Sequence, residues 1–142
     1  MGARRKGREI ALQLLFQMDI TKEGVEESFS TFFYERSYRP EIEEFGKRLA
    51  SGTHKYYKKI DEIIRQSLDN WRLSRIAVVD RNILRIAVYE FLFEPETPKK
   101  VIINEAIEIA KKYGSAESSQ FINGVLDAIK EKIMKKEKKI SK

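Results

Sequence analysis

Four cations crowd the first eight residues, Arg4, Arg5, Lys6 and Arg8, with no acid among them. Arginine forks onto phosphate oxygens and stacks on unpaired bases, and lysine adds a point charge, so the chemistry of this cluster is polyanion binding. It stands at the start of the first helical pattern, where free backbone N–H groups and the helix dipole also favour phosphate. RNA, DNA and acidic lipid would all suit these charges, and composition does not choose among them. A second concentration lies in residues 130–142, seven lysines against Glu131 and Glu137. Over all 142 residues there are 28 Lys and Arg and 22 Asp and Glu, net +6, so the stretch between the two ends is slightly acidic. Basic ends on an acidic body point to a polyanion met by specific segments, and equally fit a solubilising end.

Other chemistries lack the residues they need. There is no cysteine, hence no disulfide, no thiolate nucleophile and no Cys-based metal site. His54 is the only histidine and reads as a surface or packing residue. The Gly46-Lys47 pair lacks the upstream glycine and the following Ser or Thr of a phosphate loop, and the seven glycines form no dinucleotide fingerprint. No catalytic residue, metal site or cofactor is predicted. No apolar run reaches the roughly 18 residues of a membrane span, and the charged N-terminus leads into an amphipathic segment instead of an export signal. A soluble, cytoplasmic protein with no membrane partner is expected.

The elements that must position the cluster are helical throughout. All three prolines fall at Pro40, Pro95 and Pro98, leaving long stretches without the strongest helix breaker. Ile10, Ala11, Leu14, Leu15 and Met18 mark one face of a helix over residues 4–19, and Val25, Phe29, Phe32 and Phe33 mark a second. From residue 41 a three-or-four spacing runs to residue 68, predicting one long helix with Gly46 and Gly52 at close contacts; a break near Gly52 is the alternative. A turn follows Asp69, Asn70 and Trp71, with Ser74 capping it. Asp80 reads as the N-cap of a central helix to residue 93. Thr97 and Pro98 open the next helix, which Gly114 stops in the left-handed conformation, and Ser115 caps the last. The fold class is all-α, six or seven helices. On the first helix, Leu12 and Phe16 stand four apart on the otherwise polar side: they either pack on another helix or anchor a partner protein.

Four ordered stretches carry a family resemblance: residues 3–17, from Ala3-Arg4-Arg5 to Leu15-Phe16-Gln17; residues 79–90, beginning Val79-Asp80-Arg81-Asn82; Ile103-Asn104-Glu105-Ala106; and Tyr113-Gly114-Ser115 with Phe121-Ile122-Asn123-Gly124-Val125-Leu126-Asp127. Together they resemble the NusB family of bacterial transcription antitermination factors. The resemblance implies two packed three-helix bundles, here residues 1–70 and 71–134 of a single domain, with residues 135–142 as a basic tail outside the shared pattern. It implies no catalysis, and recognition of boxA-type single-stranded RNA together with NusE, a small-subunit ribosomal protein, in the RNA polymerase antitermination complex on ribosomal RNA operons. Some relatives form homodimers, a further possible partner.

By this resemblance Arg4, Arg5, Lys6 and Arg8 contact RNA, and Glu117, Gln120, Phe121 and Asn123 border the same surface. Phe121 also fits a core stripe with Val125 and Ile129, and Glu117 would repel phosphate and so tune affinity. Phe16 and Asp80 match positions linked to the protein partner, beside Leu12, although Asp80 equally serves as a plain cap. Asn104 and Glu105 are implied as internal helix contacts. Competing readings are a helical protein-interaction module without specific RNA binding, and an RNA-binding domain related to that of ribosomal RNA methyltransferases.

Overall fold

The computed structural model describes residues 2–68 and 72–140, and these form seven α-helices and one short 3-10 turn. The helices are α1 (Gly2–Thr21), α2 (Val25–Phe33), α3 (Pro40–Lys55), α4 (Tyr57–Arg65), α5 (Val78–Phe93), α6 (Lys99–Tyr113) and α7 (Ser118–Ile140), with the 3-10 turn at Leu73–Arg75 between α4 and α5. No strand occurs among the described residues. Asp69, Asn70 and Trp71, which precede the expected turn, and Ser141 and Lys142 of the basic tail lie outside them.

α5 is the central strut. Its apolar residues cover most of its circumference, and Ile83, Leu84, Ile86, Ala87, Val88, Tyr89 and Phe91 are all buried. α1, α3, α4, α6 and α7 all pack on it, while α2 lies on α1 and α3. The buried apolar residues join into one core running from Ile10 on α1 to Ile129 on α7.

Bidentate arginine–carboxylate pairs fix the helices to one another. Arg8 of α1 donates to both oxygens of Glu90 on α5 at 2.9 and 2.8 Å. Arg48 of α3 does the same to Glu94 just after α5, at 3.1 and 3.0 Å, and Arg85 of α5 to Asp61 of α4, at 2.7 and 2.9 Å. Two parallel N–H···O bonds set the angle as well as the distance between the elements that carry them.

Several boundaries differ from the sequence expectation. The stretch from residue 41 is two helices, parted at Tyr56 (φ −106°, ψ 19°) and not at Gly52. Tyr56 stacks on Phe93 with ring centroids 4.5 Å apart, a tertiary contact that outweighs local propensity. Ala77 is the N-cap of α5, which places Asp80 inside the first turn. Gly114 has φ −96°, outside the left-handed region; it is needed because a Cβ there would meet Ser118 Oγ at 2.5 Å and the Ala110 carbonyl oxygen at 2.8 Å. α7 begins at Ser118, whose hydroxyl oxygen accepts from the Ser115 N–H at 2.9 Å. At the other end it continues through residue 140, so residues 135–140 of the basic segment are the last part of a helix.

Candidate nucleic-acid interface

Because α1 starts at Gly2, the N-terminal cations lie within its first two turns and point in different directions. Arg4 is exposed, its guanidinium 4.4 Å from the centroid of the Phe45 ring on α3. Lys6 is half-exposed, with Nζ 4.0 Å from Glu9 Oε1 and 5.8 Å from the Tyr38 ring centroid. These two cations face solvent without a close hydrogen-bonded carboxylate among the described residues.

Arg5 occupies an intermediate position. Its Nε and Nη2 each donate to Glu105 of α6 at 2.9 Å, while 38% of the side chain stays exposed. The hydrogen bond from Arg5 and then its charge, against the opposing cost of burial, hold the Glu105 carboxyl below the usual carboxylate range. The same partner raises the Arg5 guanidinium pKa, hydrogen bond first and charge second.

Arg8 overturns the expectation of an RNA contact. Its side chain is 4% exposed and its fork is engaged by Glu90, itself 1% exposed, with Glu105 Oε1 a further 3.9 Å from Nη1. One helical turn separates it from Ala11 and Leu12, both buried, so Arg8 points into the core. Glu9 beside it is also internal, accepting from Lys112 Nζ and the Tyr113 hydroxyl, each at 2.9 Å. Burial, followed by the bond to Glu9, raises the Tyr113 phenol pKa.

Leu12 is corrected in the same way. It is 3% exposed and lies with Ile83, Ile86, Ile102, Ala106 and Ile109 between α5 and α6, so it is core and not a partner anchor. Phe16, one turn on, is 39% exposed and does present an aromatic face to solvent. Glu105 is buried as an internal contact, whereas Asn104 is exposed and not the internal residue expected.

The second part of the expected surface gathers at the entrances of α5 and α7. Arg75, Ile76, Ala77, Asp80, Glu117 and Phe121 line a shallow groove of about 190 Å³. Phe121 is half-buried there, one side on the core and the other towards the groove, while Glu117, Gln120 and Asn123 are exposed. Asp80 is 9% exposed and its Oδ1 has no hydrogen-bond partner, so the carboxylate is held at the N-terminal turn of α5 by position and dipole rather than by a capping bond. The sequence pattern associates Asp80 with Phe16; the groove joins it to Glu117 and Phe121. Arg75, unremarked in the sequence, completes that groove, and only its cationic type beside the motif hinted at it. Nor were the acids Glu90 and Glu94 anticipated as arginine partners; their signal was a carboxylate set at the apolar end of the central helix.

Residues 5–131 match the NusB family. The chain belongs to the NusB family. It is 46% identical over 141 residues to the transcription antitermination protein NusB of Koribacter versatilis, covering 99% of this chain and 97% of that protein. Among solved structures it is similar to NusB of T. maritima, with 40% identity, a TM-score of 0.81 and 89% of each chain covered. It is also similar to a chain in a structure of the antitermination factors NusB and NusE in complex with dsRNA, at 28% identity and TM-score 0.79, covering 91% of this chain and 96% of that one. Within the NusB family match fall Arg5, Lys6, Phe16, Asp80 and the whole α7 motif, whereas Arg4 immediately precedes it. No helix among the described residues is long and apolar enough to cross a membrane.

Proposed function

We propose that this chain is a noncatalytic transcription antitermination factor of the cytoplasm. It recognises boxA-type single-stranded RNA jointly with the ribosomal protein NusE, within the RNA polymerase antitermination complex on ribosomal RNA operons. The observation that carries the reading is the full-length likeness to NusB proteins, including one solved together with NusE and RNA. Arg4 and Lys6 are the sequence-independent phosphate contacts, and Arg5 joins them at the cost of loosening its bond to Glu105. Gln120, Phe121 and Asn123 supply the base-facing part, with Glu117 limiting phosphate approach, and Phe16 and Asp80 meet the protein partner. Residues 1–134 act as one unit of two helical halves, roughly 1–70 and 71–134.

RNA binding by the full chain, with and without NusE, tests this. Arg4→Ala with Lys6→Ala is expected to weaken boxA binding and to flatten the dependence of log K on log salt by about 0.7 for each phosphate no longer neutralised. NusE is expected to tighten binding to boxA more than to a scrambled RNA of equal length. Wild-type affinity in the double variant at moderate salt would overturn the assigned surface, and equal affinity for boxA and scrambled RNA in the presence of NusE would overturn the function.

A further inference from the structure

The NusB family match ends at residue 131, but α7 continues to Ile140, and this extension is where the lysines concentrate. The extension is tied down along one side. Lys132 Nζ donates to the Gln66 carbonyl oxygen at 2.6 Å and to Ser67 Oγ at 3.3 Å, beyond the end of α4, and Glu137 pairs with Lys99 at the start of α6 at 3.3 Å. Ile133 is half-buried against the core between them. The helix end is therefore held in a fixed rotation about its axis, with its other side turned to solvent.

At 100° per residue, that outward side carries Gln120, Gly124, Asp127, Glu131, Met134, Lys135 and Lys138 in one strip. Those seven side chains or backbone positions are all exposed. Gly124 has open space where its Cβ would stand, so a ligand reaches the helix backbone unobstructed at that point. Lys135 lies 15 residues beyond Gln120, or about 22 Å along the axis at 1.5 Å per residue. Asp127 and Glu131 lie between, which divides the strip into a neutral start, an acidic gap and a cationic end.

We infer that Lys135 and Lys138 form a second phosphate-binding patch, which holds the RNA segment flanking the one recognised at the start of α7. This rests on the RNA-binding reading above and adds a separate site to it. The charge is complementary to a phosphate chain, the strip is continuous with the start of α7, and the acidic gap requires an RNA long enough to pass over it. Contacts of this kind read no base and act through counterion release.

The test uses the full chain on two RNAs, a boxA element alone and the same element extended on both sides beyond the 22 Å separation. Glutamine forms helix about as well as lysine, so Lys135→Gln with Lys138→Gln keeps α7 intact. On the extended RNA the salt slope is expected to fall by about 1.4, that is about 0.7 for each of two contacts, with no change on the short element. The control Lys58→Gln with Lys59→Gln removes the same charge from exposed positions on α4 and is expected to leave both slopes unchanged. An unaltered slope for the α7 variant on the extended RNA, or equal flattening by the α4 control, overturns the patch. Failure of boxA to outcompete scrambled RNA removes the proposed function instead, while the comparison of the two variants on long RNA still decides this one.

Discussion

Arg8 shows why residue type alone misassigns a site. It belongs to a run of four cations, yet it is the one whose charge is compensated inside the protein. Removing one partner of a buried ion pair leaves the other uncompensated, at a cost of about 3–5 kcal/mol. Arg8→Ala is thus expected to destabilise the chain by about that amount in urea unfolding, because Glu90 would be left buried without its hydrogen-bonded partner and with Glu105 nearby. Arg4→Ala is expected to change stability by less than about 0.5 kcal/mol, since its guanidinium lies over the Phe45 ring from an exposed position. A stability loss for Arg4→Ala as large as that for Arg8→Ala would contradict this division. The cluster itself was legible in the sequence as a charge run. Its partition was not, because the partners of Arg5 and Arg8 lie 100 and 82 residues away and only the packing of α5 and α6 on α1 brings them near.

At the scale of elements, the glycines of α1 and α3 each stand close against the facing helix. A Cβ on Gly46 would stand 2.9 Å from Ile10 Cγ2 and 3.1 Å from the Gly7 carbonyl oxygen, and one on Gly7 would meet Phe45 Cδ2 at 2.6 Å. Ile10 could shift slightly, but a backbone carbonyl moves only with its helix. Gly46→Ala is therefore expected to destabilise by about 1–3 kcal/mol despite the better helix propensity of alanine. Gly124→Ala, in the exposed middle of α7 with no neighbour to strike, is expected to stabilise by about 0.5–1 kcal/mol. Thermal unfolding of the two variants reads the opposite signs, and a common sign would show that the close crossing is not what fixes these glycines. The spacing of apolar residues made the helices themselves legible, and the glycines in the long pattern foretold close contacts. The break at Tyr56 was illegible, because no glycine or proline marks it and its cause is an aromatic ring 37 positions on at Phe93.

Across the whole molecule, the net charge of +6 separates into cations that hold the fold and cations that face outward. The inward set makes stability sensitive to acid in a defined direction. Glu105 titrates below its unfolded value, near 4.3, chiefly because Arg5 donates to it. Between the two values the unfolded chain binds the proton and the folded chain does not, so stability rises with pH there. The contribution is fully present above about pH 5 and is lost as pH falls through the folded value. Arg5→Ala removes the largest cause of the depression, so the variant is expected to start less stable at neutral pH and to lose less on acidification, its curve converging on that of the wild type. Urea midpoints at pH 7 and at successively lower pH measure this. Parallel curves for the two proteins would show that Glu105 does not depend on Arg5, and a steeper acid loss in the variant would reverse the sign of the linkage. On the proposed surface, RNA that drew Arg5 away from Glu105 would relieve the same depression, so the fold and the binding surface would compete for one guanidinium, whereas Arg4, Lys6 and the outward end of α7 would meet phosphate without displacing that bond.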